Sequence, residues 1–134
     1  MIVIDTSALV AIALNEPMAG ACREVLENAS ALQMSAGTLA ETLIVAGRRG
    51  LSTAMAETVG AFGITIAPVG EADARRAADA YAKWGKGVHP AGLNLGDCFA
   101  YALAQERNCP LLYVGEDFAK TDVRGVDLAK GAGS

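Results

Sequence analysis

Four short strand-like runs, separated by longer segments of helical pattern, constrain this chain more than any other feature. Ile2-Val3-Ile4 opens it, and Ala31 to Met34, Ile64 to Ala67 and Leu111 to Val114 follow. A β-branched run that is apolar on both faces fits a buried parallel strand. The intervening segments read as helices. Ala8 to Leu14 follows Ser7, an N-cap candidate, and a second helix from Pro17 to about Asn28 has proline where a helix tolerates it. Ser35 to Arg48 carries Leu39, Leu43 and Ala46 on one face and stops at Gly50. Ser52 caps a helix that ends near Gly63, and Glu71 to about Gly85 carries Ala77, Tyr81 and Trp84 on one stripe, read as core or dimer surface. Leu95 to Arg107 is the last helix, and a short fifth strand is expected near 126–128. Alternating strands and helices predict an α/β fold: three layers, α/β/α, around a parallel sheet of four to five strands with right-handed crossovers. Residues 1–134 form one domain in this reading, with 129–134 as a small, polar, flexible tail.

Composition narrows the class. The chain is 52% hydrophobic and 19% charged, which excludes a disordered chain. Aromatics make up only 5%, so the core must be aliphatic and rich in small residues. The longest apolar stretch, Ala8 to Leu14, is too short to span a bilayer, and no basic segment with an apolar stretch behind it precedes Asp5. A soluble, cytoplasmic protein with no membrane association is expected. Cys22, Cys98 and Cys109 are odd in number and widely spaced, which reads as isolated thiols rather than a disulfide framework or a zinc site. The net charge of −4 argues against gripping nucleic acid by bulk positive charge.

The acids carry the chemistry. Asp5 ends the first strand and Asp117 follows the fourth. In parallel sheets, sites form outside the carboxyl ends of the strands. Glu41 lies in the first half of the helix after strand two, and Asp97 in the first turn of the helix before strand four. All four can therefore converge on one edge. Carboxylates that share a site repel, and a hard divalent cation relieves the repulsion. Mg²⁺ and Mn²⁺ suit such a set, and no histidine or cysteine near the acids invites zinc. A cation there would serve phosphodiester hydrolysis.

Each residue also has a plainer reading. Asp5 can start a turn, Glu41 can be a solvated helix residue, and Asp97 can complete a capping box with Asn94. Asp117 can be turn chemistry, and Glu116 and Asp122 are close rivals for its role. Ser7 can cap the helix, support a metal carboxylate, or do both. His89 reads as a loop residue, and Arg48-Arg49 and Arg75-Arg76 as solvated surface.

These residues together resemble a known family. Ile2-Val3-Ile4-Asp5-Thr6-Ser7-Ala8-Leu9 resembles the opening of PIN-domain proteins, and Ala40-Glu41 matches their second acidic position. Leu95-Gly96-Asp97-Cys98-Phe99-Ala100-Tyr101-Ala102 resembles the third motif, and Pro110 to Val123 the last. The order and spacing are similar to those of VapC toxins of bacterial type II toxin–antitoxin pairs. The resemblance implies an Mg²⁺- or Mn²⁺-dependent endoribonuclease that is a homodimer and is blocked by a small cognate VapB-like antitoxin. It implies Asp5 and Asp97 as direct metal ligands, Glu41 and Asp117 as completing the acidic set, and Ser7 as a supporting hydroxyl. Asp117 is preferred to Glu116 and Asp122 because it directly precedes Phe118, as in the family's aspartate–phenylalanine pair.

Two alternatives belong to other classes. One is a PIN-like binding module without activity. The other is a haloacid-dehalogenase-like phosphoryl-transfer enzyme, whose Asp-x-Asp pattern meets Ser7 at its second position here.

Overall fold

Successive residues of a strand face opposite sides of a sheet, and in this chain both sides are apolar. In β1 (Ile2–Ile4), Val3 points into one core and Ile4 into the other, both fully buried. In β4 (Leu111–Leu112) the two leucines divide in the same way. β2 (Leu32–Ser35) gives Leu32 and Met34 to the Ile4 side, and β3 (Thr65–Ala67) gives Ala67 to the Val3 side. A sheet with two apolar faces needs cover on both.

The cover comes from helices laid down between the strands. The computed structural model describes residues 1–128. α1 (Thr6–Ala13), α2 (Ala19–Asn28), α3 (Ala36–Arg48) and α4 (Ser52–Ala61) pack on the Ile4 side. α5 (Glu71–Trp84) and α6 (Leu95–Arg107) pack on the Val3 side. The result is the three-layer α/β/α arrangement expected from the sequence.

All pairings are parallel, in the order β3-β2-β1-β4. The chain builds outward from β1 through β2 to β3, then returns to the opposite side of β1 for β4. The direction therefore reverses between β1 and β4. In doubly wound sheets the crevice at such a reversal, beyond the strands' carboxyl ends, is the usual binding place.

Several local expectations differ from the structure. Asp5, not Ser7, is the N-cap of α1, because its carboxylate accepts the Ser7 amide and the helix then starts at Thr6. Pro17 lies in a turn before α2 rather than in its first turn, and Met18 is the N-cap. Ser52 is the first residue of α4 and its cap is Leu51, with no side-chain bond. On α3 the buried face is Thr38, Thr42 and Ala46, while Leu43 is half exposed. α3 packs against both α1 and α6, and Thr42 turns inward because its hydroxyl finds Thr6 and the Thr38 carbonyl there, while the Thr38 hydroxyl is buried without a partner. On α5 Ala77 and Ala80 face inward and Tyr81 does not, since alanines let α5 approach Ala100 and Ala104 of α6 closely. The fifth strand at 126–128 is absent, and one parallel bridge between Leu111 and Gly125 stands in its place. The tail at 129–134 lies outside the described residues. Cys22 and Cys98 are buried and Cys109 is half-buried, all as free thiols.

Candidate metal centre

Asp5 leaves β1 into the crevice and is 3% exposed. Its Oδ2 is fully engaged, accepting from the Ser7 amide at 3.0 Å and the Ser7 hydroxyl at 2.7 Å. The Ser7 hydroxyl in turn accepts from the Val114 amide at 3.0 Å. That bond engages the Val114 amide, two residues beyond β4, so Ser7 ties the ends of β1 and β4 together. Ser7 therefore supports Asp5 without capping α1.

The other oxygen, Oδ1, is buried and has no hydrogen-bond partner. A buried, unpaired carboxylate oxygen is costly. Asp5 belongs to a group with Glu41 and Asp97, each of which offers one carboxylate oxygen within 4.8 Å of the others. Burial, first of all, pushes the Asp5 carboxyl up to about 7, against the lowering effect of the Ser7 bonds, and the charges of Asp97 and Glu41 add to the rise. Burial also pushes Asp97 up to about 6, against the lowering effect of the Asn94 amide, with Glu41 and Asp117 adding to it.

Asp97 sits on the capping box of α6. Its amide donates to Asn94 Oδ1 at 2.8 Å, and its Oδ2 accepts from the Asn94 amide at 3.0 Å. The capping reading and the cluster reading are both realised, because one carboxylate has two oxygens.

Glu41 is held between two elements. Thr6 donates to its Oε1 at 2.8 Å. Thr6 lies 2.9 Å from the Thr42 hydroxyl, which donates to the Thr38 carbonyl at 2.8 Å. Across from Thr6 is Gly96, where a Cβ would overlap the Glu41 carboxylate. α3 and α6 interlock twice here, since Gly37 of α3 likewise makes room for the Phe99 ring of α6.

The three rivals for the fourth acid separate. Asp117 is exposed at the start of a 3₁₀ turn, Phe118–Lys120, and is near enough for its charge to raise Asp97. Glu116 acts instead on the Tyr113 phenol. Asp122 accepts a hydrogen bond from Tyr101 and lies 4.0 Å from Lys83. His89 stacks edge-on against Trp84, outside the acidic group.

Thr6, Thr42 and Gly96 were not singled out by sequence reasoning. Thr6 and Gly96 each adjoin a singled-out acid, and adjacency was the available signal. Thr42 adjoins Glu41 in the same way, yet a helical threonine is ordinarily unremarked. Thr6→Val removes the donor to Glu41, and divalent-cation affinity is expected to fall roughly 10- to 100-fold. Calorimetric titration with Mn²⁺ checks this, and unchanged affinity would remove Thr6 from the site.

The donor set fits a hard divalent cation. It is all oxygen, it is crowded with negative charge, and one of its members, Asp5, carries a buried oxygen without a hydrogen-bond partner. Protons and cation should therefore compete for the same oxygens. Mn²⁺ binding at pH 6 is expected to release protons, since Asp5 titrates near 7 and Asp97 near 6. Titrations in buffers of different ionisation enthalpy measure the release, which should approach zero by pH 9.

Comparison with known proteins follows the same lines. The PIN domain family model matches residues 2–124. Ribonuclease VapC28 of Mycobacterium tuberculosis is 42% identical over 126 residues, covering 91% of this chain and 95% of that protein. Among solved structures, the M. tuberculosis VapC20, described as a sarcin-ricin loop cleaving toxin, superposes with a TM-score of 0.77 at 16% identity, covering 94% of this chain and 98% of that one. A toxin–antitoxin complex from Klebsiella pneumoniae superposes with a TM-score of 0.67 at 18% identity, covering 91% and 93%. No helix among the described residues is long and apolar enough to cross a membrane. An acidic cluster at the β1–β4 reversal, on a fold matched from residue 2 to residue 124 and with a relative 42% identical, places the chain in the PIN-domain family among the VapC ribonucleases.

Proposed function

We propose that this chain is the toxin of a type II toxin–antitoxin pair and an endoribonuclease that hydrolyses RNA phosphodiester bonds with Mg²⁺ or Mn²⁺. The observation that carries the reading is the convergence of Asp5, with its unpartnered buried oxygen, Glu41 and Asp97 at the sheet reversal. The kinship with VapC28 supports ribonuclease chemistry.

Asp5 and Asp97 are assigned as direct ligands, with Glu41 and Asp117 completing the acidic set and Ser7 as the supporting hydroxyl. When bound, the cation supplies positive charge to phosphate oxygens and lowers the pKa of a water. The chain's own residues do the rest. Ser7 fixes Asp5 so that Oδ2 is occupied and Oδ1 is left without a partner. Asn94 holds one Asp97 oxygen by the helix cap. Thr6 and Gly96 hold Glu41 from two sides. Asp117, exposed at the rim, is suited to orient or deprotonate an incoming water. Carboxylates held this way need little rearrangement during the reaction, which is where electrostatic catalysis gains most.

A net charge of −4 makes RNA capture depend on local contacts and on the cation rather than on bulk attraction. The partners proposed are an RNA substrate, a second copy of the chain and a small VapB-like antitoxin, in the cytoplasm. The solved Klebsiella relative is a toxin–antitoxin complex, which supports the antitoxin. The test is RNA cleavage by purified protein with Mg²⁺ or Mn²⁺, with chelator, and with the cognate antitoxin. Cleavage only with cation, and suppressed by antitoxin, is expected. Intact RNA across ribosomal and transfer RNA substrates, with folded protein and Mn²⁺ present, would overturn the reading.

A further inference from the structure

Among the described residues, the only hydrogen bond Asp117 itself makes is through its backbone carbonyl, which accepts from the Lys120 amide at 3.2 Å. Its side chain makes no capping bond, and the turn it opens is only three residues, Phe118–Lys120. Directly after Asp117, Phe118 is buried against Tyr113 from the upstream side, with ring centroids 5.2 Å apart. On the downstream side, Thr121 donates to the Phe118 carbonyl at 2.7 Å and accepts from the Val123 amide at 3.2 Å. Farther on, the Arg124 carbonyl accepts from the Leu111 amide of β4 at 2.8 Å, and between the turn and that bond Asp122 reaches another element.

Asp122 Oδ1 accepts from the Tyr101 hydroxyl at 2.5 Å. The same hydroxyl accepts from Trp84 Nε1 at 3.0 Å and from Gln105 Nε2 at 3.4 Å. A phenol has one proton to give and two lone pairs to fill, so all its capacity is used within the protein. The cleft between α5 and α6 beside it therefore offers a ligand no free valence at this hydroxyl. Burial, and then Asp122, push the Tyr101 phenol up, so it keeps its proton and remains the donor.

Tyr101 lies one turn beyond Asp97 on α6. Residues four apart share a helix face. One rigid helix thus carries Asp97 and also holds the segment that carries Asp117.

We propose that Tyr101 is a positioning residue for the fourth acid: by holding Asp122, its hydroxyl fixes the turn after β4 and with it the Asp117 carboxylate beside Asp97. This rests on the reading of Asp117 as part of the nuclease site. It also gives Asp122, a rival for that role on sequence grounds, a distinct task.

Tyr101→Phe removes the hydroxyl and keeps the ring, and Asp122→Ala removes the exposed partner. In both, amide hydrogen exchange across residues 116–121 is expected to speed up about tenfold while α6 exchange stays as in wild type. With Mn²⁺ and an RNA substrate, kcat is expected to fall about 10- to 100-fold with KM nearly unchanged. In an Asp117→Asn background, Tyr101→Phe should add less than about a twofold further loss, because non-additivity marks residues that act as one unit. Wild-type exchange at 116–121 in both variants would overturn the proposal, as would a full additional loss in the Asp117→Asn background. If the wild-type protein cleaves no RNA, the nuclease reading fails, and the exchange measurement alone still judges whether Tyr101 holds the turn.

Discussion

Asp5→Asn is expected to lower RNA cleavage about 10³-fold or more, as removal of a preorganised charge at a reacting centre does, and to make the cation-free protein more stable at pH 8. The two effects have one origin. The substitution keeps an acceptor for the Ser7 amide and hydroxyl, and it replaces the unpartnered Oδ1 with an amide donor in a site that holds Glu41 and Asp97. The cap survives and a buried charge disappears. The sign follows from linkage. The Asp5 carboxyl is raised from 3.8 to about 7 by folding, so the native state binds more protons than the unfolded chain between those values. Stability associated with Asp5 is present below about pH 4 and is lost as pH rises through about 7. The full shift corresponds to up to about 4 kcal/mol. After the cost of burying an amide, a gain in Tm of roughly 5–10 °C is expected at pH 8, shrinking toward zero at pH 4. Thermal unfolding in chelator at the two pH values measures it. A variant that melts at or below the wild type at pH 8 would show that Asp5 is not strained when cation-free.

Gly96→Ala is expected to displace the Glu41 carboxylate from the acidic group at little cost to the fold. A Cβ at this position would overlap the Glu41 carboxylate. Glu41 cannot simply retreat, because Thr6 holds its Oε1 and α3 and α6 are already locked by Phe99 over Gly37. The backbone at 96 is helical, so alanine fits it locally and even favours it. Activity should therefore fall about 100-fold, as for loss of a well-placed charged partner, while stability changes by no more than about 1–2 kcal/mol. Glu41→Asp withdraws the carboxylate by one methylene, and the double variant should recover part of the lost Mn²⁺ affinity. Calorimetry and cleavage rates on the two single variants and the double variant test this. Equal activity of Gly96→Ala and wild type would mean that Glu41 has no fixed place in the site.

The layers, the strand order of appearance and the acidic edge were all legible in the sequence, for a shared physical reason. Short β-branched runs and long helical segments carry different periodicities, and an acid that ends a buried strand stands out against them. What was not legible depended on partners distant in the chain. Ser7 and Asp5 are both good caps, and only the Val114 amide, brought from β4, shows why Ser7 turns to Asp5 and the sheet end. Leu43 and Tyr81 fit apolar stripes by spacing, yet close helix contacts favoured Thr42 and Ala80 on the buried faces. Glu116, Asp117 and Asp122 lie within seven residues of one another in a turn whose geometry no local pattern specifies, and Tyr101 decides the fate of one of them. A fifth strand failed because β4 is only two residues long and pairs onward through a single bridge.

The strand order has a consequence for synthesis. β1 is the first element made, yet one of its two neighbours is β4, the last strand to appear. Pairing across that sequence distance is slow to form and must wait for the ribosome. Until Leu112 and the segment after it have emerged, Asp5 has neither the Val114 amide behind Ser7 nor Asp117 beside Asp97. A chain stopped short of β4 thus lacks the support that Asp5 and Asp97 have in the folded protein.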